Sequence, residues 1–311
     1  MEYLRKLTRR RFAGLAAAAT AAHAMELRGQ QPKGSANLTA GDIARRISSN
    51  SGVSLPEKTV DGFKAGDEST PVRGIAVTAM ATMDVLRQAA KSGLNLVVSF
   101  EPTFYGRSDA QPNTAPQQGP GGRGIAQDDP ILTAKRNFLQ TNGMAVYRLH
   151  DQWAGRKENE HAIALAKAMG WTRSAAGLDP ATEYEIEPTR LSQIVPQVRT
   201  RLKSSGGLRV IGDPATQVRR VTVLPGLQTI AKLLAKLPST DLILTGETRD
   251  WEGPEYVGDA STAGLNKGLI AVGKVVSADP GMHACAEWMK VFVNEVPVQW
   301  IAAGEPYWRP A

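Results

Sequence analysis

The sequence predicts an α/β protein of two pseudo-symmetric lobes, each a mostly parallel or mixed sheet flanked by helices. Three observations predict it. Val72-Arg73-Gly74-Ile75-Ala76-Val77 recurs 146 positions later as Val218-Arg219-Arg220-Val221-Thr222-Val223. The offset then persists without a gap, so residues 95–101 match 241–247 and both stretches end on a glutamate. Apolar, β-branched runs also alternate with stretches of helical spacing through the whole region. With 311 residues and 42% apolar side chains, there is enough chain to bury two cores.

Residues 1–24 read as a twin-arginine export signal. Arg9-Arg10 precede Phe12, a mild apolar run covers 13–22, and Ala22-His23-Ala24 offers a cleavage site. The signal implies export machinery as a partner and a periplasmic or extracytoplasmic location. It carries Arg5, Lys6, Arg9, Arg10 and Arg11 against Glu2, which is four of the seven net positive charges. The basic balance is therefore mostly targeting, and no dense Lys/Arg stripe remains to hold nucleic acid. No run reaches the roughly 20 apolar residues of a membrane span. Residues 25–38 read as a polar linker, 39–205 as the first lobe and 206–311 as the second.

Thr39 caps a first helix, with Ile43 and Ile47 at i,i+4 spacing. A strand follows at 72–77, then a helix at 81–92 with Gly93 at its C-cap. Residues 94–100 are near-continuously apolar, as a strand covered on both faces requires. Residues 106–128 hold Pro112, Pro116, Pro120 and Gly121-Gly122. They read as a lid beside Glu101 or as an unstructured insertion. Asp129-Pro130 opens a helix, Asn142-Gly143 turns, and 144–149 makes a third strand ending at His150-Asp151. Helices at 160–169 and 191–202, strands at 269–272 and 296–301, and a helix around Cys285 complete the pattern. His161 and His283 fall on expected exposed helix faces. Cys285 is the only cysteine and reads as a buried thiol.

Ligands of parallel sheets gather at the carboxyl ends of strands. Glu101, His150 with Asp151, Glu247 and Gly273-Lys274 all fall there. Mixed carboxylate and imidazole donors suit Zn, Mn or Fe. Such a metal acidifies bound water and polarises a carbonyl or phosphoryl oxygen. Asp250, Glu252 and Glu255 read as a solvated or salt-bridged set. No glycine-rich phosphate loop sits between a strand and a helix, and no Gly-x-Ser-x-Gly elbow occurs, which argues against a P-loop enzyme and a serine hydrolase.

Four ordered motifs carry a resemblance. They are Val97-Val98-Ser99-Phe100-Glu101-Pro102-Thr103-Phe104-Tyr105, Val146-Tyr147-Arg148-Leu149-His150-Asp151-Gln152-Trp153, Leu244-Thr245-Gly246-Glu247, and Gly273-Lys274-Val275-Val276-Ser277 with Pro280-Gly281-Met282. Together they resemble the Nif-three-like family, dinuclear-metal-centre hexameric proteins labelled GTP cyclohydrolase I type 2 homologues. The resemblance implies two α/β lobes, a two-metal site between them and self-association into a ring, commonly a hexamer. It also exposes departures. The family's first metal-binding histidine falls on Phe100, the histidine of its glycine-histidine motif on Lys274, and the following glutamate on Ala278. Two readings stay open. In one, a single divalent metal (Zn, Mn or Fe) is held by Glu101, His150, Asp151 and Glu247, with Lys274 binding an anionic group, in a hydrolase acting on a nucleotide-like or other small cyclic substrate. In the other there is no metal. Lys274 then balances Glu101 or Glu247, and the protein binds a small ligand or serves as a scaffold.

Overall fold

Helix and strand alternate as the periodicities require, in a computed structural model that describes residues 38–106, 109, 125–126, 128–173, 177 and 179–307. The export signal, nearly all of the linker and most of the 106–128 insertion lie outside the described residues.

Helix α1 (Ala40–Ser51) starts from a capping box in which Thr39 and Asp42 satisfy each other's backbone amides. Strand β1 (Gly62–Ala65) precedes β2 (Ile75–Thr78), α2 (Met83–Lys91) and β3 (Leu96–Ser99). After α3 (Pro130–Thr141) come β4 (Ala145–Arg148), the short α4 (Asp151–Ala154) and α5 (Glu160–Ala168). The chain continues through β5 (Glu183–Arg190), α6 (Leu191–Leu202), β6 (Arg209–Ile211), β7 (Gln217–Gln228) and α7 (Ile230–Lys236). It ends with β8 (Leu242–Thr248), α8 (Gly253–Thr262), β9 (Gly268–Ala271), α9 (Lys274–Lys290) and β10 (Val298–Trp300). No described helix is long and apolar enough to cross a membrane.

Two five-stranded sheets result, in the orders β1-β4-β3-β2-β10 and β5-β7-β8-β9-β6. The first is parallel except for β1, and the second has a parallel centre with antiparallel edges β5 and β6. The internal repeat is structural. Ile75 pairs with Leu96 in the first sheet, and Val221 pairs with Leu242 in the second, each 146 residues on. The sheets do not divide at 205/206, however. β5 lies before that point yet pairs with β7, and β10 lies after it yet pairs with β2.

Helix α9 joins the two halves. It follows β9 of the second sheet, but Ala278, Met282, Cys285, Ala286 and Met289 are buried with Ile75, Val77, Leu96 and Val98 of the first. Val276, near its start, packs in the second core with Val221, Val223 and Leu244. Cys285 is fully buried, as the sequence predicts, and burial pushes its thiol pKa upward. Close contact fixes two glycines around the start of α9. A Cβ on Gly246 would run into the Gly226 carbonyl and the Ser277 hydroxyl. Gly273 adopts φ +95°, a conformation that favours glycine, and a Cβ there would sit 2.9 Å from Glu305 Oε1.

Candidate functional site

The carboxyl ends of the two sheets meet at the first turn of α9. Glu101 lies two residues beyond β3 and is buried, with its amide donating to the Ala79 carbonyl at 2.8 Å. Its carboxylate receives the Lys274 ammonium, Nζ to Oε2, at 2.7 Å. The Glu101 side chain is 4% exposed and that of Lys274 35%, so the anion is sealed while the cation still touches water. Lys274 is the first residue of α9, where unpaired amides and the helix dipole already concentrate positive charge. An ammonium there is electrostatically disfavoured unless a carboxylate answers it, and Glu101 does. Ser277 locks the same turn: its hydroxyl donates to the Lys274 carbonyl at 2.7 Å and accepts from the Gly226 amide at 2.9 Å.

His150 and Asp151 form a second pair, Nδ1 to Oδ1, at 3.0 Å. Asp151 also accepts from the Thr59 hydroxyl and the Val60 amide. Burial raises the Asp151 pKa, but the His150 ring and the Val60 and Thr59 bonds outweigh it and hold it below the usual range. The backbone turn beneath is held by Asp61, whose carboxylate accepts from the amides of His150, Asp151 and Gln152 at 2.7, 2.7 and 2.9 Å.

Phe100 occupies the space between two imidazoles. It stacks on His150 with ring centroids 4.5 Å apart and meets His161 edge-on at 4.4 Å. His161 is a correction to the sequence reading, because it is buried rather than exposed. Its ring fits against Gly281, where any Cβ would collide with it. Neither ring nitrogen has a hydrogen-bond partner among the described residues. Burial lowers its pKa to about 4, and the neighbouring His150 adds to that shift. His283 does sit on an exposed face, as expected, and Asp250 and Glu252 form surface ion pairs with Arg209 and Arg249.

The residues singled out from the sequence are thus partly brought together. Glu101 meets Lys274, His150 meets Asp151, and Phe100 touches His150. Ala278 is packed in the first core. Glu247 stands apart from these contacts. A bulge at Pro225-Gly226 lets β8 run on to Thr248, so Glu247 remains inside the strand opposite Leu227, half-buried. It makes no ion pair or hydrogen bond with the side chains above, and Lys274 takes Glu101 rather than Glu247. Among the described residues no group of three or more His, Cys, Asp or Glu side chains is arranged to hold a metal ion. The donors do not fit the dinuclear centre that the resemblance implies: Glu101 is committed to an ammonium, Asp151 to Thr59 and Val60, and positions 100 and 278 carry no donor atom.

No family model matches this chain. A curated relative, the GTP cyclohydrolase 1 type 2 homolog of Clostridium perfringens, is 24% identical over 242 residues, covering 74% of this chain and 82% of the relative. Among solved structures, Staphylococcus aureus protein SA1388 superposes with a TM-score of 0.63 at 14% identity, over 88% of this chain and 100% of that one. A Bacillus cereus protein related to NIF3 superposes with a TM-score of 0.57 at 14% identity, over 86% of this chain and 97% of that one. The two-sheet architecture is therefore that of the NIF3-related proteins.

Two predictions follow from this geometry. Lys274→Met strands a sealed carboxylate and is expected to cost about 1–3 kcal/mol. Adding Glu101→Gln should recover part of that loss. Denaturant unfolding of the single and double variants measures it, and strictly additive losses would show that the pair is uncoupled. The second concerns His161, whose folded pKa of about 4 lies below the unfolded value. Its stability contribution is full above about pH 6.5 and drains as pH falls toward 4, where the unfolded chain binds the extra proton. Asp279, raised to about 6 mainly by burial, runs oppositely and loses stability as pH rises through that value. Comparison with His161→Leu isolates the histidine. The stability advantage of the wild type over the variant should shrink by about 1–3 kcal/mol between pH 7 and 4; an unchanged difference would contradict it.

Proposed function

We propose that this Nif3-like protein is exported to the periplasmic or extracytoplasmic space and that its inter-lobe site works through a lysine rather than a metal. One observation carries the reading: the Lys274 ammonium lies 2.7 Å from the buried Glu101 carboxylate at the junction of the two sheets. A single positive charge on a side chain there neutralises the carboxylate that a cation would otherwise need. Phe100 supports the same reading, since its ring fills the space between His150 and His161 with carbon where a donor would be required. The chemistry left at the site is charge recognition. Lys274 keeps a third of its side chain in solvent and can turn from Glu101 to an anionic group, while His150 offers a second polar contact. We therefore assign the protein a ligand-binding or scaffold role, without the metal-activated water of a hydrolase.

Elemental analysis tests the reading. The mature protein, loaded in turn with Zn, Mn and Fe and then desalted, should retain only traces. The triple variant Phe100→His, Lys274→His, Ala278→Glu should retain metal that the wild type does not. A full equivalent held by the wild type would overturn the proposal in favour of the single-metal hydrolase. A triple variant no better than the wild type would show that these positions are not what keeps the cation out. Export is tested separately. Replacing Arg9 and Arg10 with lysine should leave the protein in the cytoplasm, and unchanged fractionation would remove the targeting half of the proposal.

A further inference from the structure

The chain beyond β10 runs from the first sheet to the second lobe. Ile301 is buried with Val85, Leu86 and Val97, and its amide donates to the Val77 carbonyl at 2.9 Å. Ala303 then donates its amide to the Asp279 carboxylate on α9 at 3.3 Å. Gly304 turns the chain at φ +68°, a conformation that favours glycine. Glu305 reaches the turn between α6 and β6. Its carboxylate accepts there from the Ser204 hydroxyl at 3.1 Å and the Gly206 amide at 2.8 Å. Residues 301–305 thus connect the last strand of the first sheet to a turn of the second lobe.

Two glycines leave room for that carboxylate. A Cβ on Gly206 would lie 3.1 Å from the Glu305 carboxyl group and 2.9 Å from the Tyr307 Cβ. Gly273 makes space for the same carboxylate at the start of α9. Gly273 is the N-cap of that helix and has no side chain with which to cap it. Glu305 therefore brings an anion to a helix end whose field favours one. Lys274 is the next residue, and the Gly273 amide before it donates to the Gly246 carbonyl at 2.9 Å. The tail thus bears on the corner from which the lysine side chain departs. Its other residues are open to water, since Ala302, Gly304, Pro306 and Tyr307 are exposed.

We propose that residues 302–307 form a strap with a fastened and an unfastened state, and that Glu305 is its latch and a positioning residue for Lys274. Fastened, as in this structure, the latch holds the β9–α9 corner in place and keeps the Lys274 ammonium on Glu101. Unfastened, the tail swings about Gly304 and the corner loosens. Lys274 then spends more time away from Glu101, open to what the junction binds. The strap rests on the reading of Lys274 as the working group of the junction. Its test uses neither ligand nor metal, so its failure is distinct from failure of the metal analysis.

Hydrogen exchange and lysine acetylation of the full mature chain, both read by mass spectrometry, test it. Glu305→Ala should speed exchange of the amides in 203–207 and 272–276 by about tenfold, while those of β3 keep wild-type rates. Acetylation of Lys274 at fixed pH, normalised to the exposed Lys91, should rise severalfold. Glu305→Gln keeps an acceptor oxygen for Gly206 and Ser204, so it should fall between the wild type and Glu305→Ala in both readouts. Ser204→Ala removes one donor and should give the same pattern at smaller amplitude. A thermal midpoint above the assay temperature verifies that each variant is folded. A latch that only stabilised the fold would lower the midpoint and leave normalised Lys274 acetylation unchanged, and that result would overturn the proposal. So would wild-type exchange rates in 272–276 of Glu305→Ala.

Discussion

Everything at the junction depends on where α9 is buried. The helix emerges from the second sheet but sinks Met282, Cys285, Ala286 and Met289 into the first core. Full burial of a side chain such as Met is worth about 1.5–3 kcal/mol. Sliding or lifting the helix would expose several of these at once, together with the His161 ring seated on Gly281. Its first residue is therefore not free to choose its neighbours. Lys274 is delivered to the end of β3 by packing that happens three turns away, and Glu101 is the group that waits there.

That arrangement explains why the ion pair is tolerable. Burying two charges together often gains little, because desolvation consumes the attraction. Here only the carboxylate is sealed, while the ammonium retains contact with solvent. The helix dipole at this position would favour an anion, so Glu101 interacts well with both the backbone amides' field and the lysine. The aromatic layer alongside places Phe100 between His150 and His161. His161 is disfavoured as a cation by its burial, so its ring packs against Phe100 and Gly281 as a neutral surface.

The repeat was readable because strand register preserves spacing. Ile75 with Leu96 and Val221 with Leu242 keep one offset, and an apolar run marks each partner. What the sequence concealed has identifiable causes. β5 reads Glu-Tyr-Glu-Ile-Glu-Pro-Thr-Arg, polar and interrupted by Pro188, because it is an edge strand with much of its length exposed. β10 pairs with β2 across more than two hundred residues, and no local pattern encodes that choice. His161 was legible in principle: it shares four-residue spacing with Leu165 and Met169, both fully buried, and so belongs to their stripe. Its chemical type suggested a surface where its periodicity indicated a core. Asp61 gave no comparable signal, since its role as clamp for three amides arises only when β1 lies against β4. Glu247 matched Glu101 in sequence, and the bulge at Pro225-Gly226 then separated their surroundings.

The return of β10 to the first sheet sets an order of events during synthesis. β1 to β4 leave the ribosome early, but the edge beside β2 stays open until residues 298–300 emerge. The core beneath them also lacks α9 until residues 274–290 emerge. Folding from the amino terminus outward can reach only an unfinished intermediate with an exposed strand edge, the kind of species that chaperones shield. The native state becomes accessible only after residues 298–300 have been translated.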